Sequence, residues 1–352
     1  MMARPARQAP FRRLSTLLAA LTFAASAPAM QPQAAAPSFD GPVLRTNFAD
    51  PFVLPHRDRF LAYATNMYGD RANVPMAFST DLVNWQLMAV PGNPDEFHDA
   101  LPNLPAWAAR GSTWAPEVLQ LGERFILYFT AKHRRSDQQC VGAAVASNPR
   151  GPFVPQGSEP LICQHRLGGT IDASPFRDAD GQLYLYFKND GNHHSARTTT
   201  QLWGQRMSAD GLSMLGEPVA LERNDAEWEG HITEAPFMVR RGGRYILFFS
   251  ANDYYWHRGE RLSRYATGYA TCQTPLGPCV DAAENPILAS RREPDCLSGP
   301  GHPAVFEAGG RHYIAFHAWG TRGGCRRGEE SRYMHILPLD WNGDAPVIGL
   351  SR

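Results

Sequence analysis

The sequence has 352 residues, with 34 basic and 34 acidic side chains and a formal net charge of zero. This balance excludes the strongly basic character of nucleic-acid-binding proteins, so we expect no nucleic-acid partner. Aromatic residues make up 11% of the chain, and glycine and proline are frequent, at 31 and 29 residues, which is typical of short strands joined by many turns. The composition therefore favours an all-β fold.

The first 29 residues have the organisation of a secretory signal peptide. A basic region precedes an apolar run over residues 14–25 and a small-residue cleavage site that ends at Ala29. The run is shorter than the roughly 20 residues that span a membrane, so we expect no membrane association after signal removal. Residues 30–42 are predicted to be a Pro/Ala-rich linker and residues 43–352 the folded domain. The sequence thus predicts a secreted or periplasmic protein.

One pattern recurs five times along the predicted domain. A proline opens an apolar strand, a turn follows, and an aromatic residue stands twelve or thirteen positions after the proline. The pairs are Pro51/Tyr63, Pro116/Tyr128, Pro175/Phe187, Pro236/Phe248 and Pro303/Phe316. Successive prolines are 65, 59, 61 and 67 residues apart, and such regular spacing is the signature of a repeat architecture. The sequence predicts a five-bladed β-propeller.

A polar residue lies near each of these prolines: Asp50, Glu117, Asp172, Glu234 and His302. The first strand of a propeller blade lines the central channel, so residues at equivalent positions should converge at one end of it. Gathered carboxylates repel one another and one pKa must rise, an arrangement that suits a catalyst better than a structural protein. Glu117 follows its proline, so we expect its side chain to face away, either in a structural role or behind the residues that contact the substrate.

Three further segments, in chain order, bear on binding. Trp114 opens blade two and is expected at the channel mouth, where an indole face can stack on a sugar, with core packing as an equal alternative. The His193-His194 pair lies in a Gly/Asn loop, which we interpret as a solvent-facing rim loop rather than a metal site. Residues 253–257 form an aromatic loop suited to carbohydrate contact.

The six cysteines indicate disulfides in an exported protein. The sequence contains no Cys-x-x-Cys pair, which argues against zinc. Sequence alone does not choose among the pairings that six cysteines permit. The blade arrangement favours the local ones, which are Cys140 with Cys163, Cys272 with Cys279 and Cys296 with Cys325.

Five short motifs, in the right order and blades, together resemble glycoside hydrolase family 43. They are Ala49-Asp50-Pro51, Trp114-Ala115-Pro116-Glu117, Ile171-Asp172-Ala173-Ser174-Pro175, Glu234-Ala235-Pro236 and Gly299-Pro300-Gly301-His302. The resemblance covers nearly all of residues 43–345. It implies a five-bladed propeller that hydrolyses glycosidic bonds in plant cell-wall polysaccharides or their oligosaccharides.

The resemblance implies an inverting mechanism with three carboxylates. Asp50 matches the general base, which activates water, and Glu234 matches the general acid, which protonates the leaving oxygen. Asp172 matches the third acid, which orients Glu234 and raises its pKa. The chemistry agrees, because an oxocarbenium-like transition state needs one protonated and one ionised carboxyl, about 6.5–9.5 Å apart with water between them.

The resemblance also implies substrate contacts, among them Asn252, His302 and Arg332 together with Trp114. Arg332 resembles an arginine that reaches the sugar subsite. His302 resembles a channel histidine that lies near a structural calcium ion, often through water, although Pro303 stands where the family usually has Asn. Hydrolysis itself is expected to require no cofactor.

The motifs lie closest to those of exo-acting α-L-arabinofuranosidases. Ala49 stands where endo-acting arabinanases typically carry His, and the cysteine pattern and Asn252-Asp253 agree with exo action. We therefore expect release of L-arabinose from arabinan or arabinoxylan. A β-xylosidase is the nearest alternative, because arabinofuranose and xylopyranose present similar hydroxyls to one pocket. A non-catalytic carbohydrate-binding propeller is the alternative from a different class.

Overall fold

The computed structural model of the chain describes residues 1–2, 41–66, 71–193, 198–256, 259–293, 296–323 and 325–349. Apart from Met1 and Met2, the predicted signal peptide lies outside the described residues, and so do residues 30–40 of the predicted linker. The compact unit that follows extends over residues 34–352. Within the described ranges, no helix is both long and apolar enough to cross a membrane.

The described part of this unit consists almost entirely of strands. Blade one comprises β1 (Phe52–His56), β2 (Arg59–Tyr63), β3 (Met76–Ser79) and β4 (Gln86–Leu87), and a hairpin of β5 (Ala89–Val90) and β6 (Asn93–Phe97) follows it. Blade two comprises β7 (Ala108–Leu121), β8 (Arg124–His133), β9 (Gln139–Ala146) and β10 (Val154–Gln156). Blade three comprises β11 (Thr170–Arg177), β12 (Leu183–Asn189), β13 (Gln201–Met207) and β14 (Met214–Arg223).

The last two blades repeat the same order. Blade four comprises β15 (Thr233–Arg241), β16 (Arg244–Ala251), β17 (Ala266–Cys272) and β18 (Cys279–Asp281). Blade five comprises β19 (Gly301–Ala308), β20 (Arg311–Arg322), β21 (Arg326–Asn342) and β22 (Ala345–Ile348). Short 3₁₀ turns precede blades three and four, at His165–Leu167 and Glu227–Glu229. In every blade the strands pair antiparallel in chain order, which makes each blade a meander.

Apolar clusters between neighbouring blades join the five sheets into a ring. Each cluster draws on two adjacent blades, and one of them joins blade one to blade five. The second strand of each blade is flanked on both sides within its sheet and supplies the aromatic residues that the repeat predicted. All five are fully buried: Tyr63, Tyr128, Phe187, Phe248 and Phe316. The predicted all-β, five-bladed propeller is confirmed.

The segment before blade one pairs with the last blade. Val43 N and Leu44 N donate to Met334 O at 2.9 and 3.3 Å, and Phe48 N donates to Arg332 O at 2.7 Å. The two ends of the described fold are thereby held together. The same contacts bring the start of blade one beside Arg332.

One residue with left-handed backbone geometry lies within, or just before, the inner strand of each blade. Their φ angles are 56°, 45°, 57°, 55° and 57° at Asp50, Ala115, Asp172, Ala235 and His302, respectively. In blades two to five, the pairing of the inner strand with the second strand shifts at this residue. Left-handed geometry costs a non-glycine residue about 1–2 kcal/mol, and residues strained in this way cluster at functional sites. We call these five the bulge residues.

The bulge residues correct the alignment of blades by their prolines. In four blades the proline directly follows the bulge residue, but in blade three Ala173 does, and Pro175 comes two positions later. Glu234 is also not equivalent to Asp50 and Asp172, because it precedes the bulge residue of its blade. The acid in blade four therefore starts from a different backbone position and reaches the same end of the channel.

Three disulfides link Cys140 with Cys163, Cys272 with Cys279 and Cys296 with Cys325. The local pairings predicted from the blade arrangement are confirmed. Their sequence separations are 23, 7 and 29 residues, so each closes a short loop beside one blade. Cross-links of this kind persist in oxidising compartments.

Candidate active site

The backbone N–H of each bulge residue is satisfied by the preceding blade around the channel. Four of the acceptors are side chains at one equivalent position, in the second strand or just beyond it. The bonds are Ala115 N to Thr65 Oγ1 (3.0 Å), Asp172 N to Thr130 Oγ1 (3.2 Å), His302 N to Ser250 Oγ (2.7 Å) and Asp50 N to His317 Nδ1 (3.2 Å). In blade three that position is Lys188, whose ammonium cannot accept a hydrogen bond. Ala235 N donates instead to Asp172 Oδ2, at 2.9 Å.

A cavity of about 300 Å³ opens where the inner strands begin. All predicted site residues except Asn252 line it: Asp50, Trp114, Asp172, Glu234, His302 and Arg332. Thr65, Ile171, Asp190, Asn192, His193 and Tyr254 complete the lining. Glu117 does not line it; this buried acid accepts a hydrogen bond from Ser174 Oγ at 2.9 Å, which agrees with its predicted structural role.

Asp50 is surrounded by groups that favour its ionised form. Its Oδ1 lies 3.0 Å from Arg332 Nη1 and 3.4 Å from His302 Nδ1, and Thr65 Oγ1 donates to its Oδ2. Burial would raise the pKa of Asp50, but the Arg332 guanidinium and then His302 outweigh burial and hold that pKa well below its ordinary value. Asp50 is therefore ionised at neutral pH, which is the state that a general base requires.

Glu234 is held between a buried cation and a phenol. Lys188 Nζ donates to its Oε2 at 2.9 Å, and Tyr265 Oη donates to its Oε1 at 2.8 Å. The side chain of Lys188 is 0% exposed and that of Glu234 is 14% exposed. Burial would raise the pKa of Glu234, but Lys188 and then Tyr265 outweigh burial and hold it below its ordinary value.

This finding corrects the expectation that Asp172 raises the pKa of Glu234. A buried ammonium in direct contact with Glu234 overrides the like charge of Asp172. It is the pKa of Asp172 that is raised instead. Burial raises this pKa to about 6; His302 opposes the increase and Glu234 adds to it. The orienting part of the expectation agrees with the geometry, since Asp172 Oδ2 binds the backbone N–H of Ala235, the residue after Glu234.

Arg332 is fixed by aromatic side chains. Its guanidinium carbon lies 5.4 Å from the ring centroid of Tyr254 and 5.8 Å from that of Trp319, distances typical of cation–π contacts. Trp319 Nε1 donates to Tyr254 O at 2.6 Å, which holds the aromatic loop against blade five. Tyr254 is 45% exposed beside the cavity. The arginine therefore faces Asp50 with little freedom to turn away.

Two of the predicted substrate contacts have different outcomes. Trp114 is half-buried and lines the cavity, so its position agrees with the stacking role. The prediction for Asn252 is corrected, because its side chain is committed to the backbone. Its Nδ2 donates to Trp228 O at 3.0 Å, and its Oδ1 accepts from Asp253 N at 2.9 Å. Asn252 shapes the loop that precedes the aromatic residues.

Sequence reasoning missed several residues around the carboxylates. Three of them lie in or next to the second and third strands of their blades, whereas the proline motif marks only the inner strands: Lys188, Tyr265 and His317. A signal for Lys188 does exist, since a cation replaces a hydrogen-bond acceptor at a repeated position. His193 is partly exposed and lines the cavity, so its rim loop also borders the site; His194 lies outside the described residues.

The predicted calcium ion is a poor match for direct binding by His302. The Nδ1 of His302 faces Asp50 Oδ1, and the same oxygen contacts the Arg332 guanidinium. Calcium prefers oxygen ligands, and a fixed cation beside the nearest carboxylate opposes a second one. These side chains do not fit a calcium ion bound directly by His302. A calcium ion held there through water stays a prediction.

The fold and the cavity together define a class of protein: a five-bladed propeller in which three buried carboxylates from three blades share one cavity. The sequence matches the model of glycosyl hydrolases family 43 over residues 39–346. The chain belongs to this family and is a glycoside hydrolase. The predicted resemblance is confirmed.

Similar proteins differ in the sugar that they release. The chain is 26% identical over 295 residues to a β-D-galactofuranosidase of Aspergillus niger, covering 78% of this chain and 75% of that protein. It is 23% identical over 327 residues to an extracellular exo-α-(1→5)-L-arabinofuranosidase of Cellvibrio japonicus, covering 84% of each. Proteins named as β-xylosidases are also among its relatives.

Solved structures show the same fold. A thermostable family-43 glycoside hydrolase superposes with a TM-score of 0.73 at 29% identity, covering 86% of this chain and 93% of that chain. The match extends over all five blades rather than over one motif. It therefore supports the family assignment independently of the short sequence motifs.

Proposed function

We propose that this protein is an inverting, exo-acting furanosidase that releases L-arabinose from arabinan or arabinoxylan. The observation that carries the proposal is the convergence of Asp50, Asp172 and Glu234 in one cavity, with a guanidinium on the first and an ammonium on the last. These contacts hold the pKa of Asp50 well below its ordinary value and lower that of Glu234, so glycoside hydrolysis, which needs one ionised and one protonated carboxyl, is expected to be favoured at acidic pH.

The furanoside preference is supported by two relatives. One is named as a β-D-galactofuranosidase and the other as an exo-α-L-arabinofuranosidase. The sugars in these two names, β-D-galactofuranose and α-L-arabinofuranose, have the same configuration around the furanose ring and differ at the exocyclic carbon. The cavity, at about 300 Å³, is at the small end of ligand sites, which run from roughly 300 to 1,000 Å³. A cavity of this size suits a single sugar unit and hence exo action.

The proposed reaction uses one proton donor and one proton acceptor. The O–H bond of protonated Glu234 breaks as its proton passes to the glycosidic oxygen, and the bond from that oxygen to the anomeric carbon breaks. Water attacks the opposite face and gives its proton to Asp50. Asp172 orients Glu234 through the backbone of Ala235, and Arg332 keeps Asp50 ionised until the water reacts.

A β-xylosidase is the second candidate. It is favoured by the relatives that carry this name and by one named as a xylosidase/arabinosidase. The three disulfides support action in an oxidising compartment, so we propose a secreted or periplasmic enzyme that meets plant polysaccharide outside the cytoplasm.

The test compares three aryl glycosides with their natural counterparts. Purified protein is assayed on aryl α-L-arabinofuranoside, β-D-galactofuranoside and β-D-xylopyranoside, and on linear arabinan and xylo-oligosaccharides. We expect the arabinofuranoside and arabinan to be hydrolysed, and proton NMR of the first product to show the inverted anomer. The assays are repeated with Glu234→Gln and with Glu117→Gln, a matched control in which another buried acid outside the cavity is neutralised.

Glu234→Gln should lose about 10²–10⁴-fold in activity on arabinan and less on the activated aryl glycoside, which needs less acid assistance. Glu117→Gln should retain activity. Hydrolysis of xylosides alone would replace the proposal with the second candidate. An arabinan activity that survives in Glu234→Gln would contradict the assignment of the acid, and sugar binding without any hydrolysis would contradict catalysis.

A further inference from the structure

Lys188 breaks a repeated hydrogen-bond pattern at the channel. The equivalent positions of the other blades carry Thr65, Thr130, Ser250 and His317, and each of them accepts the N–H of the next bulge residue. A lysine has no acceptor, so Ala235 N turns to Asp172 Oδ2. The N–H of the bulge residue in blade four is thus satisfied without an acceptor at this position of blade three, and the ammonium of Lys188 has a different role.

The surroundings of Lys188 show what the ammonium contacts. Its Nζ donates to Glu234 Oε2 at 2.9 Å and to Asn192 Oδ1 at 2.7 Å, and its side chain is 0% exposed. A buried ammonium costs several kcal/mol unless a counter-charge pairs with it. Within the described residues the carboxylate in direct contact is Glu234, with Asp190 and Asp172 adding to its field. The ammonium is thus stabilised most when Glu234 is ionised, while Asp190 and Asp172 stabilise it in either protonation state of Glu234.

We propose that Lys188 is a positioning residue that sets the acid strength of Glu234 by stabilising the carboxylate left when Glu234 gives its proton to the glycosidic oxygen. This inference rests on the function proposed above, in which Glu234 is the acid. Before the transfer the carboxyl is neutral beside the ammonium. After it the carboxylate and the ammonium form an ion pair, so the favourable Coulomb energy grows as the bond to the leaving group breaks.

The pair implies a particular dependence on leaving group and pH. A stronger acid helps most when the leaving group is a sugar alcohol, which leaves poorly, and least when it is an activated phenol. The same ammonium lowers the pKa of Glu234, so the protonated and active form persists only on the acidic side. Activity should therefore fall as pH rises through a pKa that Lys188 keeps low.

The test measures kcat/KM against pH for the wild type and for Lys188→Met, which keeps the length and removes the charge. Without the ammonium the pKa of Glu234 rises, so the basic limb of the profile should move to higher pH by about 1–3 units. At the optimum, turnover of arabino-oligosaccharide should fall roughly 3–30-fold, with a smaller loss on the aryl glycoside, as Brønsted behaviour requires.

The matched control is Ser250→Ala, which removes an acceptor at the same position of another blade. If Lys188 had only a structural role, Lys188→Met and Ser250→Ala would both have lower thermal stability, and the basic limb of the kcat/KM profile would stay at the wild-type pH in both variants. Lys188→Arg, which keeps the charge, should hold the limb nearer to that of the wild type. The inference about Lys188 would be refuted if folded Lys188→Met kept the basic limb at the wild-type pH. If Glu234→Gln still lost activity on arabinan as expected, the proposed function would stand.

A second measurement covers the case in which Lys188→Met does not fold. Carbon NMR of carboxyl-labelled glutamates in the wild type gives the titration of Glu234, assigned from the signal that Glu234→Gln lacks. Titration below the ordinary value of about 4.3 supports the inference, and titration above it refutes it. Loss of the acid role in Glu234→Gln itself would instead refute the proposed function.

Discussion

Two groups of carboxylates in this propeller have opposite electrostatic surroundings. The inner group lines the cavity and consists of Asp50, Asp172 and Glu234. The outer group joins the last strands of blades three and four, and an oxygen from each member lies within 4.8 Å of the others: Glu222, Asp225, Glu229 and Asp281. Both groups include carboxylates that are largely withdrawn from water, and withdrawal from water alone raises a carboxyl pKa.

Cations distinguish the two groups. In the inner group, Arg332 and Lys188 contact Asp50 and Glu234 and lower their pKa values despite burial. In the outer group, the ion pair found among the described residues is that of Arg223 with Asp225, and it is mostly exposed.

The pKa values of the outer group follow from this difference. Burial and then Asp281 raise the pKa of Glu222 to about 9, and burial raises that of Glu229 to about 7. The position of a few side-chain cations, rather than burial alone, thus decides which of these carboxyls have a lowered pKa. In the inner group the pKa values of Asp50 and Glu234 are lowered and that of Asp172 is raised, whereas in the outer group those of Glu222, Glu229 and Asp281 are all raised.

The largest expected difference between the groups is in catalysis. Asp50→Asn removes the proposed base while keeping the shape of the side chain, and kcat on arabino-oligosaccharide should fall about 10²–10⁴-fold. Glu222→Gln, the matched change in the outer group, should leave kcat unchanged. Steady-state kinetics with circular dichroism as a check on folding would measure both. Equal losses in the two variants would show that the inner carboxylate acts only through stability.

A smaller effect is expected from the cation beside Asp50. Arg332→Met removes the guanidinium that holds down the pKa of Asp50, so this pKa should rise by about 1–3 units. Activity requires ionised Asp50 and falls as pH drops through its pKa, so the acidic limb of kcat/KM should move to higher pH. Arg223→Met removes the guanidinium of the outer group and should leave the profile in place. An unmoved acidic limb in Arg332→Met would refute the electrostatic role of this arginine.

The smallest effect is expected in stability, at the outer group. A pKa that is higher in the folded than in the unfolded protein gives stability that is lost as pH rises through the folded value. The wild type should therefore lose stability as pH rises from the ordinary glutamate value of about 4.3, with the contribution of Glu229 lost by about pH 7 and that of Glu222 by about pH 9. Glu222→Gln removes one such group and should be more stable than the wild type at pH 9 by roughly 1 kcal/mol, and similar to it at about pH 4, where Glu222 is largely protonated in both the folded and the unfolded protein.

Urea unfolding midpoints at the two pH values would measure this change. Glu217→Gln is the control, because Glu217 is an exposed acid on the same strand, β14. If all three proteins lose stability equally between the two pH values, the outer carboxylates do not hold protons in the folded state.

The fold was accessible from the sequence because it rests on local patterns. A strand, a turn and a second antiparallel strand recur at regular spacing. Each aromatic residue that marks the pattern is buried between blades, and its burial does not depend on the conformation of the loops. The carboxylates were predictable for a related reason, since an acid at or directly before a bulge residue lies at the cavity end of its inner strand, whereas Glu117, two positions after a bulge residue, does not line the cavity. Asn252 was predicted wrongly because nothing local shows that its amide is already bound to Trp228 and Asp253.

The spacing of residues along the chain was enough to predict the five-bladed architecture and the convergence of acids at one end of the channel, and it favoured the three local disulfide pairs without fixing them. Only the tertiary structure decided which acid meets which cation. Lys188 and Glu234 are 46 residues apart, and Arg332 and Asp50 are 282 residues apart. Contacts over such distances exist only once the blades have closed into a ring, and electrostatic interaction at about 3 Å in a buried site is strong enough to reverse the effect of burial.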